Sequence, residues 1–251
     1  MDNSGQPWYT QWFNQDYLDL YSHRDDHDAK EQINLIIRSV PLTGKKIVDA
    51  CCGTGRYVKL LAEKGYDVCG FDLSKQFIDL GLLENPKLSL WVLDAKKLGE
   101  QKTKYDGVLS LFTSFGYFRE DAENLEVLTS YYNSLNPGGI LWLDYFNSEV
   151  VKEKLANNNN FEERVIRGKT FLIKSKIEKN VVIKEIKVKI KDSNTFKNYR
   201  EEVTLYTQKQ LLALAQSAGF HLKKMFGDYQ GNSFDEKSPR AIFLLEKNEK
   251  K

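Results

Sequence analysis

Apolar positions recur along this chain with two different periods, and the change between them divides it. From Asp28 to Val40, Ile33, Ile36 and Ile37 fall three and four positions apart, the spacing of a helix with one apolar face, and Pro41 ends it. Five short apolar runs follow: Ile47–Ala50, Asp67–Phe71, Ser89–Leu93, Gly107–Phe112 and Ile140–Tyr145. Helical stretches separate them; the first carries Tyr57, Leu60 and Leu61 and stops at Gly65. Strands alternating with helices predict a parallel sheet. After Asn147 the period drops to two. Ile183, Ile186, Val188 and Ile190 interleave with Lys184, Lys187, Lys189 and Lys191, so Phe161 to Tyr206 is expected to form an antiparallel sheet with one wet face. The tract Asn157-Asn158-Asn159-Asn160 before it reads as a loop. Helix and strands then return, with a helix over Gln208–Ser217 closed by Gly219 and strands near Phe220–Phe226 and Ala241–Glu246.

Composition narrows the class without deciding it. A chain of 251 residues with 41% hydrophobic and 29% charged positions fits one large α/β unit with an insertion and a soluble surface. The formal charge of +2 selects no partner. The polar start, Met1 to Gln6, lacks the apolar core of a signal peptide, and no apolar run approaches the ~18 residues of a membrane span. Cys51, Cys52 and Cys69 have no metal-ligand spacing and read as small buried residues of a reducing, cytoplasmic compartment. The three histidines are scattered, so no metal site is expected.

The chemistry concentrates in one stretch. Ile47-Val48-Asp49-Ala50 is an apolar strand running into Cys51-Cys52-Gly53-Thr54-Gly55, a turn over which backbone can approach a ligand closely. A second strand ends at Asp72, where open α/β sheets hold a ribose diol. The unit reads as a nucleoside site. A dinucleotide would place its pyrophosphate over the turn, facing Asp49, at a Coulomb cost on the order of 4 kcal/mol at an effective dielectric of about 20. Asp49 suits a cation instead, and Val58 stands where the dinucleotide fingerprint needs its third glycine.

These residues resemble the class I S-adenosylmethionine-dependent methyltransferases, whose first motif is D-x-G-x-G-x-G. The chain reads Asp49-x-Cys51-x-Gly53-x-Gly55, with Cys51 in place of the first glycine. Val92-Leu93-Asp94-Ala95, Tyr105 to Phe112 and Leu135 to Trp142 match later motifs in order. The resemblance implies a Rossmann-like, doubly wound, mostly parallel seven-stranded sheet with an inserted antiparallel β subdomain, and S-adenosyl-L-methionine as cofactor. It implies four regions: 1–40 an N-terminal helical lid, 41–147 the cofactor-binding core, 148–206 the inserted substrate-covering region, and 207–251 the helix and strands completing the sheet. By the same resemblance Asp72 holds the ribose, Leu73 packs on adenine, and Asp94 with Ala95 meets the adenine amino group. Asp49, Cys51, Gly53, Thr54, Gly55 and Leu111 line the rest of the cofactor site, with Tyr17 and Arg24 closing it from the lid.

The acceptor end is expected around Thr113 to Phe118 and Asp144 to Asn147, at the carboxyl ends of the fourth and fifth strands. Tyr117 and Asn147 are the candidates facing acceptor, and His23 is the candidate titrating group near the lid. Arg240 reads either as a substrate contact or as an edge arginine. Methyl transfer asks mainly for alignment and exclusion of water, so no triad is required. The aromatic mouth, Phe115, Tyr117, Phe118, Tyr145 and Phe146, suits a small-molecule acceptor at nitrogen or oxygen. Neither an Asn/Asp-Pro-Pro-Tyr-like element nor a Pro-Cys nucleophile follows the fourth strand, so no nucleic-acid partner is expected. The monomer or homodimer is the expected state. Two alternatives stay open: an RNA or protein methyltransferase docking through its basic insertion, and a binding protein that senses the cofactor without transferring methyl.

Overall fold

The computed structural model describes residues 7–22, 26–157, 160–190 and 195–248. Two short helices, α1 (Trp8–Trp12) and α2 (Gln15–Leu20), precede α3 (Asp26–Ser39). Asn14 separates the first two: its side chain accepts the Asp16 N–H and caps α2. The sheet then begins with β1 (Lys46–Ala50), α4 (Arg56–Glu63), β2 (Asp67–Asp72), α5 (Lys75–Glu84), β3 (Leu90–Val92), a 3-10 turn at Ala95–Glu100, and β4 (Tyr105–Ser110). It continues through α6 (Asp121–Ser134), β5 (Leu135–Phe146) and α7 (Ser148–Asn157). The antiparallel unit is β6 (Phe161–Ile166), β7 (Lys169–Glu178), β8 (Val181–Ile190) and β9 (Phe196–Thr204). The chain ends its described part with α8 (Gln208–Ser217), β10 (Phe220–Phe226) and β11 (Arg240–Lys247).

The seven-stranded sheet has the order β10-β11-β5-β4-β1-β2-β3. β3, β2, β1, β4 and β5 run parallel, while β11 is antiparallel to both its neighbours. From β1 the chain winds outward to β2 and β3, then returns to β1's other side as β4. The carboxyl ends of β1 and β4 therefore flank the switch point, where open α/β sheets bind ligands. Successive residues of each strand feed opposite faces. Ile47 packs with Ile33, Ile36 and Leu61 under α3 and α4, whereas Val48 packs with Leu128, Tyr131 and Leu211 under α6 and α8.

The four-stranded sheet, ordered β6-β7-β8-β9, is the antiparallel insertion that the period-two alternation predicts. α7 was not legible there, because Val150, Val151 and Leu155 make too short an apolar pattern between polar residues. The inner face of this sheet buries Phe171, Ile173, Ile186 and Val188 against Trp12 and Leu20 of α1 and α2. Each such side chain contributes roughly 1.5–3 kcal/mol of burial. Ion pairs add direction: Lys169 reaches both Asp16 (2.5 Å) and Asp19 (2.7 Å), Arg167 reaches Asp19 (3.1 Å), and Lys197 reaches Asp16 (3.3 Å). Several of the insertion's cations thus hold α2 in place. The far end is stitched to the main sheet by Arg119–Glu202 (2.7 Å) and by the Tyr145 hydroxyl, which donates to the Thr204 carbonyl.

Candidate functional site

At the switch point lies a cavity of about 340 Å³, floored by the turn after β1 and roofed by α1 and α2. The floor is a run of left-handed backbone: Cys51 has φ 60°, Gly53 59° and Gly55 82°. Cys51 adopts the conformation normally left to glycine, so the turn keeps its shape with a side chain present, and the thiol borders the cavity. Burial, Asp72 and Asp49 push that thiol far up, which keeps it protonated and unreactive. A Cβ at Gly53 would meet nothing within 4 Å, so backbone there faces open space. Gly55 differs from the expectation. It does not line the cavity; it starts α4, and a Cβ there would lie 2.8 Å from Leu90.

Two carboxylates meet at this floor. Asp72, at the end of β2, accepts the Gly53 N–H at 2.9 Å and the Ser74 N–H at 2.8 Å, which fixes its orientation toward the turn. Burial raises its pKa despite those donors. Asp49, 1% exposed, borders the same cavity, and its Oδ2 is buried with no hydrogen-bond partner among the described residues. Desolvation first and Asp72 second push its carboxyl well above the usual range, against the opposing pull of Arg56. A buried carboxylate oxygen without a donor is costly unless a ligand supplies one. The pair therefore fits a ligand bearing an ammonium and a diol, and opposes a phosphate.

Around this floor, Thr54, Leu73, Asp94, Ala95 and Leu111 line the cavity as the sequence suggests. Asp94 also accepts the Lys96 N–H at 2.9 Å and so caps the turn after β3. Tyr17 lines it from α2. Arg24 and His23 lie outside the described residues. Tyr117 borders the cavity and packs against Trp8 (5.1 Å) and Phe13 (5.8 Å) of the roof, with its phenol pushed far up by burial. Phe115 and Phe118 line it as well.

The carboxyl end of β5 departs from the expectation. Asn147 is 2% exposed and outside the cavity. Its amide donates to the carbonyls of Asp235, Glu236 and Ser238, and its Oδ1 accepts the Glu149 N–H at 3.1 Å. It caps α7 and pins the loop before β11, which leaves it no acceptor to face. Tyr145 and Phe146 pack on each other (4.3 Å) and do not reach the cavity either. Arg240 is neither a cavity residue nor an exposed edge arginine: it pairs with fully buried Asp144 at 2.7 Å. Conversely, Tyr9, Phe13, Tyr57 and Phe77 line the cavity without having been singled out. The aromatic clustering Trp8-Tyr9 and Trp12-Phe13 was the available signal for two of them.

Comparison with known proteins agrees with this geometry. A family model described as "Methyltransferase domain" matches residues 47–139. A putative methyltransferase, YqeM of Bacillus subtilis (strain 168), is 21% identical over 240 residues, covering 93% of this chain and 97% of that protein. The crystal structure of a S-adenosylmethionine-dependent methyltransferase from Clostridium acetobutylicum ATCC 824 superposes with a TM-score of 0.79 at 18% identity, covering 93% of this chain and 98% of that one. CalS10, an amino pentose methyltransferase from Micromonospora echinaspora solved with S-adenosylmethionine bound, gives a TM-score of 0.68 at 19% identity, covering 94% and 98%.

Proposed function

We propose that this chain, whose residues 47–139 match a methyltransferase domain, uses S-adenosylmethionine to methylate the nitrogen of a small-molecule amine. When bound, S-adenosylmethionine supplies a methyl carbon activated by a sulfonium, ready for in-line displacement. The observation that carries the reading is Asp49 Oδ2, without a hydrogen-bond partner among the described residues, buried beside a glycine turn and 1% exposed. In this reading Asp49 takes the cofactor's cationic end, and Asp72 holds the ribose hydroxyls. Leu73, Asp94 and Ala95 contact the adenine, Cys51, Gly53, Thr54 and Leu111 form the adjoining wall, and Tyr17 closes the site from above.

The acceptor would sit between Tyr117 and the roof residues Tyr9, Phe13 and Tyr17. Aromatic faces attract cations and amphipathic rings, by about 0.5–2 kcal/mol for a desolvated ammonium. Among the described residues on the cavity, Asp49, Asp72 and Asp94 outnumber Arg56, a balance that favours an amine over a phosphate-bearing or carboxylate acceptor. The likeness to an amino pentose methyltransferase points the same way. Burial holds the Tyr57 and Tyr117 phenols protonated, so neither takes a proton from the acceptor, and the amine must arrive or become neutral before attack. The RNA-docking reading loses support because Lys169, Lys184, Lys197 and Arg167 are committed to Asp16, Asp19 and Glu201. Among the described residues no helix is long and apolar enough to cross a membrane, and a cytoplasmic site of action accords with the thiol chemistry.

The test is formation of S-adenosylhomocysteine, followed by mass spectrometry, with a panel of free amino acids, amino sugars and simple polyamines. Turnover with at least one amine, and none with matched alcohols, is expected. Cofactor binding without turnover on any amine, alcohol, RNA or protein fraction would return the chain to the sensor alternative.

A further inference from the structure

The segment after β4 forms one wall of the cavity through Leu111, Phe112, Ser114 and Phe115. Two consecutive residues in it, Phe112 (φ 54°) and Thr113 (φ 63°), hold left-handed backbone although neither is glycine. An aromatic and a β-branched residue adopt that conformation only when their surroundings over-determine it. The surroundings here converge on one buried carboxylate. Asp144 is fully buried on β5, and its Oδ2 accepts the Phe112 N–H at 2.9 Å while its own carbonyl accepts the Thr113 N–H at 3.0 Å. Its Oδ1 accepts from Arg240 at 2.8 Å, and the same guanidinium donates to the Thr113 hydroxyl at 2.9 Å and lies over the Phe112 ring at 5.5 Å.

The network also reaches the opposite side of the cavity. Gln32 donates to Asp144 Oδ2 at 2.6 Å, and the Tyr57 hydroxyl donates to Gln32 Oε1 at 2.6 Å. Tyr57 borders the cavity from α4. Tyr229 completes the set, donating to Asp144 Oδ2 at 2.9 Å. One carboxylate thus ties a strained turn on β4 to a tyrosine on α4, and none of Asp144, Gln32 or Arg240 touches the cavity itself.

We propose that Asp144, with Arg240 as its counter-ion, is a positioning residue of the cofactor site: it holds Phe112 and Thr113 in their left-handed turn and so fixes the distance between the β4 wall and Tyr57. Charge at Asp144 matters because the four groups that donate to its carboxylate include a guanidinium, and an amide can neither neutralise Arg240 nor accept through both oxygens. The proposal rests on the methyltransferase reading for its ligand, and on geometry alone for the turn.

The test uses the full chain and S-adenosylhomocysteine as probe, titrated by calorimetry. Asp144→Asn is expected to weaken binding about tenfold, the scale of one residue's backbone strain. Adding Thr113→Gly to that variant should bring affinity back to within about threefold of the parent, because glycine takes the left-handed turn without help. The lost melting temperature should not return, since Arg240 stays buried without its carboxylate. A merely structural Asp144 would not be rescued in this way. Unchanged affinity in Asp144→Asn, or affinity lost and not restored by Thr113→Gly, overturns the proposal. Should Asp144→Asn not fold, Asp144→Glu, which displaces the carboxylate by one methylene, is titrated alone and with Thr113→Gly; weakened binding that the glycine restores is expected, and unchanged or unrestored binding contradicts the proposal. If the parent itself fails to bind the probe, the functional reading falls. Hydrogen exchange at the Phe112 and Thr113 amides then tests the turn: slow in the parent and fast in the variant supports the role of Asp144, and equal rates refute it.

Discussion

Asp49→Asn separates what the site does for folding from what it does for the ligand. The substitution keeps the shape of the side chain and removes its charge. In the free protein Asp49 is 1% exposed, its Oδ2 has no donor among the described residues, and Asp72 repels it. Its carboxyl is therefore held well above the ordinary aspartate range, first by desolvation and then by Asp72. A carboxyl raised in the fold favours folding while it is protonated. That contribution is complete below the unfolded value and fades as pH rises through the raised folded one. Above the unfolded value, folding must either bury this charge or take up a proton, so near neutral pH Asp49→Asn should melt at a higher temperature than the parent. With S-adenosylmethionine the order reverses. The variant loses a charge-assisted contact worth about 1.5–3 kcal/mol, or roughly ten- to 150-fold in Kd. Proton linkage gives a second signature. A cationic ligand favours the ionised carboxylate, so parent affinity should rise with pH across the interval between 3.8 and the raised value, and Asp49→Asn should flatten that rise. Calorimetric titration and thermal melts, each at several pH values, read both effects. A variant that is less stable without ligand and binds the cofactor as tightly as the parent would overturn this role of Asp49.

Four further outcomes follow from the same structure. Asp72→Ala should weaken S-adenosylhomocysteine binding by about 1.5–3 kcal/mol in the same titration, because its Gly53 and Ser74 contacts aim it at the cavity. Gly81→Ala should lower the melting temperature and cofactor affinity together, since the new Cβ would lie 2.3 Å from the Thr54 carbonyl oxygen and push the glycine turn. Tyr117→Phe should change turnover with the amine found by the panel while leaving cofactor affinity within about twofold, because it removes one hydroxyl at the acceptor end. Burial alone would raise Asp16, but Lys169 and Tyr199 hold it below 3.8, so the docking of α1 and α2 should persist above 3.8 and fail as pH falls through the lowered value. Fluorescence of Trp8 and Trp12 on acid titration would follow that loss.

What could be read from residue order divides along physical lines. Asp49, Gly53 and Asp72 were legible because their chemistry is local: strand, turn and carboxylate follow one another within one βαβ unit. The antiparallel insertion was legible because alternating isoleucine and lysine leave one arrangement for β8. Asn147 was misread because its polarity suggested a ligand, whereas three carbonyls of a loop nearly ninety positions away claim its amide. Asp144 and Arg240 were separated for the same reason, since an ion pair across two strands leaves no spacing to find. The roof residues Tyr9 and Phe13 sit at helices too short for a helical period to register. The end of β4 at Ser110, two residues before the expected Phe112, follows from the turn that Asp144 imposes.

The most direct test is a crystal structure of the full chain with S-adenosylhomocysteine. The ligand's amino group is expected within hydrogen-bonding distance of Asp49 Oδ2, the ribose hydroxyls on Asp72, and the adenine beside Leu73 and Asp94. A cavity left empty at saturating ligand, or a ligand seated with its ammonium away from Asp49, would contradict that placement.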